Sequence, residues 1–311
     1  MVPKLKPFLR ISKEVAKAQS MGLPLVALES TVITHGLPYP ENIQVAQDVE
    51  NEVRQTGAIP ATIAIIDGLI HIGLDIAQLE YLASARDLNK ASPRDFSRIL
   101  VNEESGGTTV AGTIFVAHAA GIKVFATGGI GGVHRQPPGD VSADLPQLAR
   151  TPIIVVCAGA KAILDLPAIL EYLETHAIPV IGYRTNEFPA FYSARSRLPT
   201  SHRADSPEEV VEYGKTHWQL GLESALLVAA PPPPEVAMPE EEMRQAVKQA
   251  LKDAKKERIR GQRVTPFLLQ RVTELTGNAS LRANLGLLRN NAKVAAEIAR
   301  ALKQDPSTLS I

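Results

Sequence analysis

One cysteine, Cys157, stands in 311 residues, and that scarcity excludes an internal disulfide and a cysteine-rich zinc site. Its neighbours are apolar, so it is expected to be a small core residue. An excess of charge is also missing: Lys+Arg and Asp+Glu both number 33. Nothing in that balance suggests a nucleic-acid groove or a polybasic membrane anchor, and little self-repulsion stands against oligomers. No apolar run is long enough to span a bilayer. The opening MVPKLKPFLRISKEVAKAQ lacks the apolar region of a signal peptide. The expectation is a cytoplasmic protein that engages neither membrane nor nucleic acid. Internal repeats are absent, as are Gly-x-Ser-x-Gly and His-Glu-x-x-His signatures.

What is present is an ordinary globular composition, 45% hydrophobic and 21% charged, with apolar mass for a large core. Hydrophobic spacing predicts helices over 11–20, 43–56 and 77–86, and short strands at 25–28, 61–66 and 69–73. Asp67 and Gly68 between the last two mark a hairpin. Gly106 to Thr113 is expected to open another helix. Strands follow at 122–126 and from Ile153. A helix from about Ile163 to His176 leads to a strand at 178–183, which makes a βαβ unit with parallel strands. A helix over 207–220 and a strand at 225–229 precede four prolines, Pro231 to Pro234, which form a stiff connector. The remainder is helical. These elements predict an α/β class, a three-layer arrangement with a mixed, largely parallel central sheet flanked by helices and a C-terminal helical layer. The whole chain, 1–311, is expected to be one domain.

Four features carry chemistry. In IIVVCAGAKAILD, Lys161 follows a buried strand and a small-residue turn and is expected at a helix N-terminus. Burial and that helix end both disfavour an ammonium group, and a neutral amine can attack a carbonyl-like carbon. The bland alternative is a snorkelling lysine. Glu29 ends a short apolar strand, where a carboxylic acid could move protons near neutrality; otherwise it pairs with a lysine or backbone amides. TGGIGG, from Thr127 to Gly132, follows a strand, and its N–H groups could hold a phosphate; a tight structural turn is the alternative. It fits neither the Rossmann fingerprint nor the Walker loop. SGGTT, from Ser105 to Thr109, is more readily a helix cap. In DVSAD, Asp140 and Asp144 could hold Mg²⁺ or Mn²⁺ with water, unless Asp144 caps a helix. His71 and His118 are expected in the core. Together these pieces suit attack by an amine on the anomeric carbon of a phosphorylated sugar.

ALESTVITHGLPYP, PATIAIIDG, FATGGIGGVHR, SADL, VVCAGAK and TPFLL, in this order from Leu25 to the final helix, resemble the pseudouridine-5'-phosphate glycosidases, the indigoidine synthase A-like family. The resemblance implies reversible cleavage of the carbon–carbon glycosidic bond of pseudouridine 5'-phosphate to uracil and ribose 5-phosphate. It implies a divalent ion, typically Mn²⁺, and a homotrimer. It implies Lys161 as nucleophile at C1', Glu29 as proton donor and Asp140 as metal ligand. Ser142, Ala143, Asp144, Lys90, Val110 and Asn284 would contact substrate, with Thr127 and His134 near its phosphate. Two departures stand out. Pro93 occupies a position that is usually basic, and the link from Gln136 to Gly139 is shorter than usual. A different phosphosugar conjugate, or phosphosugar binding without turnover, would use the same residues.

Overall fold

The structure, a computed structural model, describes residues 5–135, 139–259 and 264–304, without the side chains of Thr265 and Pro266. A 3-10 turn leads into β1 (Leu9–Ile11), and Ser12 caps α1 (Lys13–Ser20) by accepting the Val15 N–H. After β2 (Leu25–Leu28) come a π-helical turn, Val32–Gly36, and α2 (Glu41–Gln55), whose Val45, Val49 and Val53 form its buried face. β3 (Ile59–Ile66) and β4 (Leu69–Ile72) make the expected antiparallel hairpin. Its turn residues Asp67 and Gly68 have φ of 47° and 70°, the left-handed pair that a two-residue hairpin loop demands. α3 (Ile76–Ser84), β5 (Asn89–Ala91), a 3-10 turn at Pro93–Asp95, α4 (Phe96–Val101), β6 (Gly106–Thr108) and α5 (Val110–Ala119) follow. The glycines expected inside that last helix pair as β6 instead, and Thr109 starts the helix by accepting the Gly112 N–H at 3.1 Å.

The second half runs β7 (Val124–Ala126), α6 (Asp144–Leu148), β8 (Ile154–Cys157), α7 (Leu166–Thr175), β9 (Val180–Tyr183), β10 (His202–Ala204), α8 (Pro207–Gln219) and β11 (Leu226–Ala229). It ends with α9 (Glu240–Lys256), α10 (Val264–Leu275) and α11 (Ala279–Gln304). The strands form one sheet in the order β1-β4-β3-β2-β7-β8-β11-β9-β10, with β6 joined to β3 and β5 to β6. Every pairing is parallel except those of β3 with β4 and β6. β8 and β9 point the same way, as the βαβ pattern predicts, but β11 lies between them. β8 and β11 are fully buried, which explains their unbroken apolar runs. Each such Ile, Leu or Val contributes about 1.5–3 kcal/mol by leaving water.

The C-terminal helices divide in two. α9 and α10 pack on each other, whereas α11 lies directly on β2, β7 and β8, between α2 and α8. Its buried face runs Ala283, Leu287, Leu288, Asn291, Ala292, Ala295 and Ile298. Cys157 is buried, and burial pushes its thiol up to about 12. His71 and His118 are only half-buried rather than core residues.

Candidate active site

β2, β7 and β8 are adjacent and parallel, so their C-terminal ends lie side by side. That edge is where ligands gather in open α/β sheets. Glu29 immediately follows β2, Thr127 follows β7, and the turn Ala158-Gly159-Ala160 leads from β8 to Lys161. The turns are tied together by backbone bonds. Ile130 N donates to Gly159 O at 3.1 Å, and Lys161 N donates to Ile130 O at 3.1 Å. The glycine turn and the lysine are therefore one rigid unit.

Glu29 is half-buried. One carboxylate oxygen accepts from the Thr31 hydroxyl and the other from the Thr127 hydroxyl. Its anchors are thus two threonines, rather than the lysine or backbone amides that the bland reading offered. Thr127 itself is buried, and its N–H donates to Val156 O at 3.0 Å. Its hydroxyl is spent on Glu29, so it orients a carboxylate.

Lys161 does not stand at a helix N-terminus. α7 begins at Leu166, behind the N-cap Asp165, because Pro167 sets the first turn there. The helix-end argument for a neutral amine therefore fails. The charge beside Lys161 is instead Lys90, carried by β5 opposite Gly107. Burial lowers the pKa of Lys90, and the Lys161 charge lowers it further, while Asp144 and Glu29 oppose the shift. Two lysines and two carboxylates from four separate elements thus share one electrostatic site. His134 belongs to it as well. Burial lowers its pKa, Asp140 pulls it up, and Lys161 and Lys90 push it down.

Asp144 is buried to 5% exposure. It is the first residue of α6, with Ala143 at the cap position. Its Oδ1 accepts the Ala111 N–H and its Oδ2 the Gly131 N–H, each at 2.8 Å. Both oxygens thus clamp the start of α5, where Val110 sits, to the glycine turn. The Asp144 N–H donates to Ser142 Oγ at 3.2 Å, which fixes the SADL loop. Ser142 is half-buried and Ala143 exposed.

Packing demands a glycine at three positions of the TGGIGG turn and crowds the fourth only mildly. A Cβ at Gly129 would meet Phe191 at 2.6 Å, one at Gly131 the Ser142 Oγ at 2.4 Å, and one at Gly132 the Ile169 Cδ1 at 2.2 Å. At Gly128 the nearest atom, Leu288 Cδ2, would be 3.2 Å away. The Gly131 N–H is already given to Asp144, so that donor is spent within the fold.

The carboxylate that the sequence offers to a metal ion, Asp140, is half-buried, and its backbone carbonyl accepts the His134 N–H at 2.9 Å. Among the described residues no three His, Cys, Asp or Glu side chains converge on one point. That donor set fits a hard, mostly hydrated ion such as Mn²⁺ or Mg²⁺ held through one carboxylate, not a closed protein cage. Gln136 to Pro138, the first three residues of the short link, lie outside the described residues. Pro93 starts its own 3-10 turn.

A sequence profile of the indigoidine synthase A like proteins matches residues 14–301. The chain belongs to this family. Pseudouridine-5'-phosphate glycosidase of Geobacillus kaustophilus is 52% identical over 300 residues, 96% of this chain and 100% of that protein. The protein of the same name from Petrotoga mobilis is 48% identical over 94% of this chain and 97% of its own length. Among solved structures, the prealnumycin C-glycosynthase AlnA in complex with ribulose 5-phosphate superposes with a TM-score of 0.88. It is 38% identical, with 95% of this chain and 97% of that one covered. An indigoidine synthase A-like protein of Thermotoga maritima gives 0.87 at 35% identity, over 96% and 97% of the two chains.

Within this family member, sequence reasoning missed Thr31, His35 and Asn291. Burial lowers the pKa of His35, and the charge of Lys90 lowers it further. Its ring Nδ1 lies 2.6 Å from the Thr34 hydroxyl. Asn291 had a visible signal: it is an amide at an apolar position of a helix face, four residues after Leu287. Asn284, expected at the site, is half-buried two helical turns before it on the same face.

Proposed function

We propose that this chain hydrolyses pseudouridine 5'-phosphate to uracil and ribose 5-phosphate, with Lys161 as nucleophile and Glu29 as proton donor. The observation that carries the assignment of roles is that β2, β7 and β8 bring a hydroxyl-anchored carboxylate and a backbone-anchored lysine to one sheet edge, beside Lys90 and Asp144. The relatives named for this activity, aligned over nearly the whole chain, supply the substrate.

An ordinary glycosidase protonates a leaving oxygen. Here C1' is bonded to carbon C5 of uracil, and another route is needed. The Lys161 Nζ lone pair bonds to C1' as the C1'–O4' bond breaks, and one Nζ proton passes to O4'. That nitrogen then forms a C1'=N double bond as the C1'–C5 bond breaks. C5 keeps the electron pair and takes the proton of Glu29. Water adds to the imine carbon and its released proton returns Glu29 to the acid form; the C1'–N bond then breaks, and ribose 5-phosphate leaves with Lys161 restored. Lys90, Val110, Ser142, Ala143, Asp144, His134 and Asn284 form the substrate's surroundings, with Thr127 holding the acid. Asp140 would hold Mn²⁺ through water, and the ion would polarise oxygen groups when bound. A cytoplasmic homotrimer completes this reading. Among the described residues no helix is long and apolar enough to cross a membrane.

Incubation with pseudouridine 5'-phosphate and Mn²⁺ is expected to release uracil at a rate proportional to enzyme. No release would sink the assignment. The likeness to a C-glycosynthase supports a second reading, in which the same site joins a phosphosugar to another carbon acid. A panel of C- and N-nucleotides, with products identified, separates the two.

A further inference from the structure

We infer that Asn291 is a positioning residue for the acid of the reaction: from α11 it fixes the Thr127 turn, and Thr127 fixes Glu29. This rests on the proposed role of Glu29 as proton donor.

Asn291 is fully buried, at 0% exposure. Its Nδ2 donates to Thr127 O at 2.8 Å and to Gly128 O at 3.3 Å, across more than 160 residues of sequence. One amide therefore holds two successive carbonyls of the turn that follows β7. Leu287 and Leu288, from the same face of α11, press on Gly128. On the other side of Thr127, its N–H is fixed to Val156 O at 3.0 Å on β8. With both backbone groups of Thr127 tied, the direction of its Cα–Cβ bond is fixed, and from there its hydroxyl donates to Glu29. Thr31 holds the second Glu29 oxygen. The line from α11 to the acid is continuous, and every contact in it is a hydrogen bond or a packed side chain.

The choice of residue supports a role beyond packing. The Oδ1 of Asn291 meets no protein donor among the described residues, so the side chain's hydrogen bonds to protein all run to the turn. Leucine would fill the same space but offer no donor to the Thr127 and Gly128 carbonyls. The amide's N–H groups are thus spent on the turn that carries the Glu29 anchor, and they fix where that turn lies.

The consequence separates two steps. Imine formation between Lys161 and ribose 5-phosphate does not use Glu29 on uracil, but cleavage of the C–C bond does. Asn291→Ala is expected to lower kcat for uracil release by about tenfold or more, since a misplaced catalytic group costs at least that, with KM changed little. Borohydride trapping of ribose 5-phosphate on Lys161 should stay near the wild-type rate. The loss should also be non-additive: Asn291→Ala with Thr127→Val should be no slower than Thr127→Val alone, because both act through the same hydroxyl. If Asn291→Ala does not fold, Asn291→Ser, which keeps a donor on a shorter side chain, is read in the same way. Wild-type kcat in the folded variant, equal losses in cleavage and trapping, or additive losses in the double variant would overturn the inference. Failure of the wild-type enzyme to release uracil would instead refute the function proposed above, so the two failures are distinguishable.

Discussion

Asp144 and Gly131 are coupled by shape as well as by hydrogen bond. The Gly131 N–H donates to Asp144 Oδ2 at 2.8 Å, and a Cβ at Gly131 would stand 2.6 Å from that same oxygen. The carboxylate can approach only because residue 131 has no side chain. Gly131→Ala should therefore open the clamp between α5 and the turn. Asp144→Asn should do so from the other side, by presenting an NH₂ to a backbone N–H. Leaving a buried donor unmet costs about 1–3 kcal/mol, so both variants should melt at lower temperature and release uracil more slowly. Unchanged melting of either would show that the clamp does not hold the loops.

Lys90 gives a pH-dependent prediction. Its folded-state pKa lies below the unfolded value of 10.5, chiefly through burial and then through Lys161. The unfolded chain thus binds a proton that the native chain resists, and stability rises with pH between the folded pKa and 10.5. Below the folded pKa the full penalty applies. Lys90→Met removes it, so the variant should gain melting temperature over wild type near neutrality, and the gain should shrink as pH approaches 10.5. Activity should fall, because the cation is lost from the site. A gain independent of pH would contradict the burial of a charged Lys90.

Most of the fold was legible in the sequence because its signals are local. The valines of α2 at 45, 49 and 53, the Asp67-Gly68 turn and the apolar runs of β8 and β11 each declare their element within a few residues. What escaped depends on distant partners. Nothing near Ile178 says that β11 enters between β8 and β9. Pro167 was the local sign that α7 starts late, and the apolar residues around Ile163 masked it. For the site, motif blocks pointed to Glu29, Lys161 and Asp144, but not to the contacts that hold them. The Thr127–Glu29 and Asn291–Thr127 contacts join residues about 100 and 160 positions apart, and only the sheet order brings them together. The four glycines suggested a phosphate site, and three of them also admit the close approach of Phe191, Ser142 and Ile169, partners that only the folded chain supplies.

Metal removal should separate activity from folding. If the ion is held through Asp140, as proposed, with no closed cage among the described residues, chelation removes no structural cross-link. EDTA should suppress uracil release and leave the melting temperature unchanged, and Mn²⁺ should restore turnover. Asp140→Ala should be slow with or without added metal. A large fall in melting temperature on chelation would point to a structural ion instead.

The central claim is that Lys161 bonds to the sugar. Its most direct test is borohydride reduction in the presence of ribose 5-phosphate, followed by peptide mass spectrometry. The reduced pentose phosphate adduct is expected on Lys161, and Lys161→Ala should lose both the adduct and uracil release by at least about a thousandfold, or about 4 kcal/mol of barrier. An adduct on Lys90 alone, or undiminished turnover in Lys161→Ala, would contradict it.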